Sequence, residues 1–363
     1  MRLFPILALL LAAPMATLAQ EKAAIPSPIA FAATDFLKPP ADMHLGEVAG
    51  VAVNRQGHVF VFQRGNTSGP AYAAAAAQLL EFGPDGRFVR EVGKGLYAWS
   101  YAHAVRIDPA GNIWAADKGS DMVIRFNPQG KVTWVFGRKP EAADESAHPL
   151  EHPRPPLAPV DGYFRQVTDM AWDSQGNTFI SDGYINSRVA KIDAEGRWVA
   201  SWGSPGSEPG QFNTLHSIAV DGADRVYVAD RGNRRIQVFD TDGKLLKIIT
   251  IDVPAPANAP TAIGPRPAVG GANKTFAPGA PWTLCITPKA NDGRQVLYVS
   301  DAWPGRIYKL SLDGQVLGWL GSSGKAIGEF GWIHEIACPS ENELYVAELL
   351  NWRLQKLVLK PGT

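Results

Sequence analysis

One short pattern recurs six times along this chain, and any fold assigned to it has to explain that recurrence first. The clearest copy lies between Leu215 and Thr250. It reads His216-Ser-Ile-Ala-Val-Asp221, Arg225-Val-Tyr-Val-Ala-Asp230 and Arg235-Ile-Gln-Val-Phe-Asp240, then an Asp242-Gly243 turn and a last run from Leu245 to Thr250. Four short β-branched runs separated by Asp, Gly and Asn turns predict a four-stranded meander. Its second run returns as Asn112-Ile-Trp-Ala-Ala-Asp117, Asn177-Thr-Phe-Ile-Ser-Asp182, Val296-Leu-Tyr-Val-Ser-Asp301 and Glu343-Leu-Tyr-Val-Ala-Glu348, with a weaker copy at His58-Val-Phe-Val-Phe-Gln63. A four-stranded sheet cannot bury both faces alone, so six copies predict radial stacking into an all-β, six-bladed propeller. A β-sandwich or two small β domains would not repeat one motif six times. The last copy has room for only three strands before Thr363, so its outer strand is expected from residues around Phe31 to Leu37, which would close the ring and protect its edges. The 36 glycines and 29 prolines supply the turns, and a 45% hydrophobic composition supplies the core.

The ends and the insertions set the rest of the organisation. Arg2, an apolar run from Leu3 to Ala13 and the small residues around Thr17-Leu18-Ala19 predict a signal peptide over residues 1–19. That run is too short to span a membrane, and no later segment is long and apolar enough to do so. A Pro/Ala-rich linker is expected over 20–40 and the propeller over 41–363, interrupted by proline-rich insertions at 138–165 and 251–281 that should lie over the face carrying the site. Export to the periplasm or the medium follows. Thirty-five basic and 35 acidic side chains cancel to zero formal charge, which argues against a nucleic-acid partner or a polybasic membrane anchor. A monomer acting on a small molecule or peptide is the expectation. Cys285 and Cys338 stand one register apart on neighbouring inner strands, so they should face opposite sides of the pleat and remain buried free thiols.

Seven histidines are present, and three of them occupy one structural register. Stepping back five residues from the end of each first strand gives Ala49, His103, Thr168, His216, Trp282 and His334. Histidine therefore falls on blades 2, 4 and 6, at the start of the strands that line the central channel. Three imidazoles about 120° apart would converge on the axis and could supply the nitrogen set of a catalytic zinc, with a fourth position left for water or substrate. His148 and His152 lie in a proline-rich insertion and His44 and His58 have no equivalent placement, so none of the four is a candidate. The second strands end at the same channel mouth, which puts Arg64, Lys118, Gly183-Tyr184, Arg231 and Trp303 around the proposed metal. Arg64 and Arg231 are the better candidates, whereas Lys118 could equally be a solvated turn residue.

These residues resemble the NHL-repeat family and, within it, the peptidyl-α-hydroxyglycine α-amidating lyases, the second catalytic half of the animal peptide-amidating enzymes. The resemblance runs from about Leu45 to Leu357. It is carried by Gly50-Val51-Ala52-Val53, Arg64-Gly65, His103, Ser181-Asp-Gly-Tyr184-Ile-Asn-Ser-Arg188, His216-Ser217, Ala229-Asp-Arg231 and Ile333-His334-Glu335. It implies zinc on His103, His216 and His334, Tyr184 as catalytic base with Arg64 beside it, and Arg231 in the active site. It also implies a structural calcium held by the backbone carbonyls of Val51 and Val105 and the carboxylate of Glu335. Three positions depart from the family: Glu335 stands for an aspartate, Trp332 for a methionine and Ile185 for a cysteine. The implied reaction is zinc-dependent cleavage of the C–N bond of a peptidyl-α-hydroxyglycine to an amide and glyoxylate. The chain leaves no room for the copper monooxygenase that makes that substrate in animals, so another α-hydroxy amide or ureido compound is an expected alternative. Two other classes fit a propeller: a non-catalytic interaction module and a metal-dependent lactonase or other hydrolase.

Overall fold

The computed structural model describes residues 26–65, 77–139, 158–262, 264–268 and 274–360. The signal-peptide segment and most of the first insertion, including His148 and His152, lie outside the described residues. Six four-stranded antiparallel sheets make up the molecule. Blades 1 to 5 occupy residues 48–92, 102–137, 169–202, 215–249 and 283–320, each wound from its innermost strand outward. The architecture is the expected six-bladed propeller.

Burial follows from stacking. The second strand of each blade is sandwiched between neighbouring blades, and all five residues of Val226–Asp230 are buried. The outermost strand has one neighbour, and Trp198–Trp202 alternates between half-buried and exposed positions accordingly. Wide aromatic side chains fill the widening gaps between blades: Trp99, Trp114, Tyr227, Tyr298 and Phe239 are among the largest fully buried groups.

Blade 6 closes the ring. Its strands Ile333–Ser340, Glu343–Glu348 and Arg353–Leu359 are completed by Phe31–Asp35, which pairs antiparallel with the last strand from Phe31 opposite Leu359 to Asp35 opposite Gln355. Residues 31–35 are thus part of the propeller, which corrects the expectation that the whole of 20–40 is a linker. The segment just before them is docked as well: the Trp319 indole donates to the carbonyl of Pro26, and Ile29 N–H donates to the carbonyl of Trp319.

Cys285 and Cys338 form a disulfide between the inner strands of blades 5 and 6, with Cα atoms 6.1 Å apart. The expectation of free thiols was wrong. The strand Thr283–Ile286 pairs without a break, but Ile333–Ser340 carries register shifts between Ile333 and Glu335 and between Ala337 and Ser340. A bulge inserts one residue and inverts the alternation beyond it, so a one-residue offset in sequence becomes a shared face in space.

Candidate functional site

The carboxylate at the end of the second strand in blades 2 to 6, replaced by Gln63 in blade 1, explains why the motif is built as it is. Asp117 accepts hydrogen bonds from the amides of Ser100, Tyr101 and Ser120. Asp230 accepts from the amide of Asn213 and the side chains of Asn233 and Arg235, and Glu348 from the amide of Gly331 and the side chains of Asn351 and Arg353. Each carboxylate therefore ties down the loop that leads into the inner strand of its own blade. Those loops deliver the histidines, while the residue after the carboxylate points into the same mouth.

The inner strands of blades 2, 4 and 6 shift register where the histidines sit: between Ala102 and Ala104, between Leu215 and Ile218, and between Ile333 and Glu335. Bulges of this kind re-aim a side chain. His103, His216 and His334 come together on the axis, all buried, with ring centroids 4.6 to 4.9 Å apart. Each ring donates from Nδ1 to the backbone carbonyl at the equivalent register position of the next blade: His103 to Thr168 at 2.7 Å, His216 to Trp282 at 2.6 Å and His334 to Ala49 at 2.7 Å. The three non-histidine positions of the register thus act as acceptors. With Nδ1 fixed as the donor, every Nε2 presents a lone pair to the centre. Burial, followed by the repulsion of neighbouring rings and of Arg64, Arg231 and Lys118, holds all three imidazoles well below their ordinary pKa. Three neutral, oriented imidazole nitrogens fit a borderline-soft dication such as zinc.

Tyr184 is placed by the string that follows Thr178–Asp182. Asp182 accepts from the side chains of Asn186 and Arg188, and Arg188 reaches on to the carbonyls of Val160 and Tyr163. Gly183 is packed so closely that a Cβ there would lie 1.6 Å from the carbonyl oxygen of Leu215, so only glycine lets the turn pass. The turn brings the Tyr184 hydroxyl to 3.1 Å from Nε2 of His216 and 3.4 Å from Nε2 of His103, where it donates. Lys118 Nζ lies 4.0 Å from the centre of the Tyr184 ring and the Arg231 guanidinium 5.6 Å from it. Burial would raise the phenol, but Arg231, Lys118 and Arg64 outweigh it and lower its pKa below the ordinary value.

Arg64 lies against the third histidine, donating from Nη2 to Nε2 of His334 at 3.5 Å, and is held by Glu47, the Tyr101 hydroxyl and the carbonyl of Ala102. Arg231 stacks on Trp282 at 4.0 Å, and its Nε and Nη1 are buried with no hydrogen-bond partner among the described residues. The guanidinium also hydrogen-bonds Tyr184, and its buried donors without partners among the described residues suit an anionic group such as a carboxylate at the channel mouth. The second insertion supplies Phe276, which stacks on Trp332 and Trp282 and flanks a cavity of about 330 Å³ shared with Thr261, Trp303 and Leu350. Sequence reasoning brought Tyr184, Arg64 and Arg231 to this place. It left Lys118 open and missed Glu47 and Tyr101, although Tyr101 lies two residues before His103.

The proposed calcium ligands meet differently. The amides of Val51 and Val105 both donate to Oε2 of Glu335, at 2.8 and 3.2 Å, and Oε1 of Glu335 lies 3.1 Å from Nε of Arg106. Oε2 of this carboxylate is thus taken by two N–H groups, while Oε1 faces the guanidinium with no hydrogen bond among the described residues, so a calcium ion here would have to share Oε1 with Arg106.

A family model described as the NHL repeat matches residues 212–239, within blade 4. The chain is a six-bladed propeller, and this match covers one of its repeats. Among curated proteins it is 31% identical over 222 residues to the peptidylglycine alpha-amidating monooxygenase of Rattus norvegicus, covering 55% of this chain and 21% of that protein. It is 30% identical over 215 residues to a probable peptidyl-alpha-hydroxyglycine alpha-amidating lyase of Caenorhabditis elegans, covering 54% of this chain and 56% of the other. The chain thus spans between about a fifth and just over half of the length of these relatives. Among solved structures, a gluconolactonase of Xanthomonas campestris superposes with a TM-score of 0.55 at 13% identity, over 92% of this chain and 95% of that one. At that identity the likeness is one of fold.

Proposed function

We propose that this propeller is a zinc-dependent lyase that cleaves the C–N bond of a peptidyl-α-hydroxyglycine, or a related α-hydroxy amide, into an amide and glyoxylate. The observation that carries the reading is the Tyr184 hydroxyl, set against two of three converging imidazole nitrogens and ringed by three cationic side chains. A zinc ion held by Nε2 of His103, His216 and His334 would supply a Lewis acid for the substrate hydroxyl oxygen. Arg231 pairs through its guanidinium with the substrate carboxylate and orients the carbinolamide. Tyr184, whose ionised form Arg231, Lys118 and Arg64 favour, removes the hydroxyl proton. As the C–O bond gains double-bond character the C–N bond breaks, and the departing nitrogen takes up a proton to become the amide. Arg64 stabilises the phenolate side of the site, fixed by Glu47 and Tyr101. The aromatic shelf of Phe276, Trp282 and Trp332 receives the apolar part of the substrate next to the new amide.

The lyase-named relatives support a lyase. The lactonase alternative draws on likeness of fold, and the mouth of this channel is built from imidazoles, guanidiniums and a phenol. The test is glyoxylate release. Zinc-loaded protein given a peptidyl-α-hydroxyglycine should produce glyoxylate in step with amide, and Tyr184→Phe should lose about 10²- to 10⁴-fold in rate. Equal rates for the two proteins would refute the role of Tyr184; lactone hydrolysis without glyoxylate formation would refute the reaction.

A further inference from the structure

Below the histidines the channel is filled by Arg106, the third residue after His103. Its guanidinium makes a bidentate pair with Asp169, Nε to Oδ1 at 2.9 Å and Nη2 to Oδ2 at 2.7 Å. Nη1 and Nη2 make long contacts of 3.4 Å to the carbonyls of Ile336 and Leu284, and Nε is ion-paired with Glu335. The carboxylates carry the network onward. Asp169 also accepts from the Ser217 hydroxyl and the amide of Ile218, Ser217 Oγ accepts from the amide of Leu284, and Glu335 accepts from the amides of Val51 and Val105. Blades 1 to 6 contribute Val51, Val105 with Arg106, Asp169, Ser217, Leu284 and Glu335 in turn, so all six inner strands join in one network around a single cation.

We infer that Arg106 occupies the place of a structural cation: a covalently attached guanidinium, in place of a calcium ion, ties the six blades together at the axis. Two carboxylates and two backbone carbonyls directed at one point form a hard oxygen set that would suit a dication if it were vacant. Here the positive charge is already supplied by the chain, with a planar fork that matches the bidentate carboxylate of Asp169. A second cation at this level would face the guanidinium at hydrogen-bond range and find Oε2 of Glu335 already accepting from two amides. The glutamate at position 335 fits this account, since its Oε1 reaches across the channel from blade 6 to 3.1 Å from the guanidinium of blade 2. The device also separates two tasks. Removal of divalent cations would empty the histidine site without loosening the ring.

The experiment uses the full chain and compares calcium content, chelator response and melting temperature. Protein prepared without chelator should hold substoichiometric calcium by elemental analysis, and a calcium-selective chelator should leave its Tm unchanged. Stoichiometric calcium, or a Tm lowered by the chelator, would overturn the inference. Arg106→Ala strands two buried carboxylates and should lower Tm by about 4 °C or more. Millimolar calcium should restore part of that loss in the variant and do nothing to the parent protein. An unchanged Tm in Arg106→Ala, or a loss that calcium does not touch, would count against the guanidinium as the resident cation. If that variant fails to fold, the measurements on the parent protein decide the question alone.

Discussion

Two levels of the same channel, only a few residues apart on the inner strands, treat polar groups in opposite ways. At the histidine level each ring has Nδ1 fixed by a backbone carbonyl and Nε2 turned to the axis, where it meets only the movable side chains Tyr184 and Arg64, and Arg231 keeps two buried nitrogens without a partner among the described residues. At the Arg106 level the guanidinium and both carboxylates are shared among six strands, and the one buried oxygen there without a hydrogen bond among the described residues, Oε1 of Glu335, still faces the guanidinium at 3.1 Å. Unpartnered buried groups cost stability, and a protein carries them where they meet a ligand. The upper level is shaped for something that arrives, and the lower level for permanence. Beyond the lower level a second cavity of about 520 Å³, lined by Asn54, Trp172, Val220 and Thr287, opens at the opposite end of the inner strands with Arg106 as its floor.

That contrast can be broken in four ways, beginning with the largest effect. His334→Ala should abolish stoichiometric zinc binding and lower the lyase rate about 10³-fold, about 4 kcal/mol of barrier, with Tm in chelator unchanged; a matching fall in Tm would show that the upper level is structural too. Asp169→Ala should do the reverse, lowering unfolding stability by about 3–5 kcal/mol in denaturant titrations because Arg106 is left buried without its bidentate partner. Zinc stoichiometry in that variant should survive at temperatures where it is folded. Reduction of the Cys285–Cys338 bridge, which closes 53 residues of chain, should cost about 2–4 kcal/mol of stability and leave kcat within error. Arg231→Lys keeps a charge but loses the fork, so KM should rise about 10- to 100-fold with a smaller change in kcat. A loss confined to kcat would move Arg231 from substrate binding to the chemistry.

The six-fold fold was legible because its unit repeats in sequence, and the histidine triad was legible because register arithmetic needs only the strand ends. What escaped depended on backbone irregularity. Bulges at His103, His216 and His334 leave no residue-type signal, yet they aim the rings, and one of those strands carries the shift that brings Cys338 to Cys285. Glu47 and Tyr101 read as loop residues because nothing local says that Arg64 will reach them. Arg106 carries no distinguishing signal within the strand Ala102–Ile107. Its importance comes from five other blades, and no spacing within blade 2 records them.

The pairing of Phe31–Asp35 with Arg353–Leu359 has a consequence for how the molecule comes into being. The strand that closes the ring precedes every other strand of the propeller in the chain, and its partner follows them all. Throughout synthesis the early strand waits with its edge open, and the growing stack of blades ends in an unsealed face. Completion of the ring is therefore a single late event that joins its first strand to its last. A truncation that removes the last strand would cost more than one element: it would leave Phe31–Asp35 without its neighbour and keep the circle from being sealed.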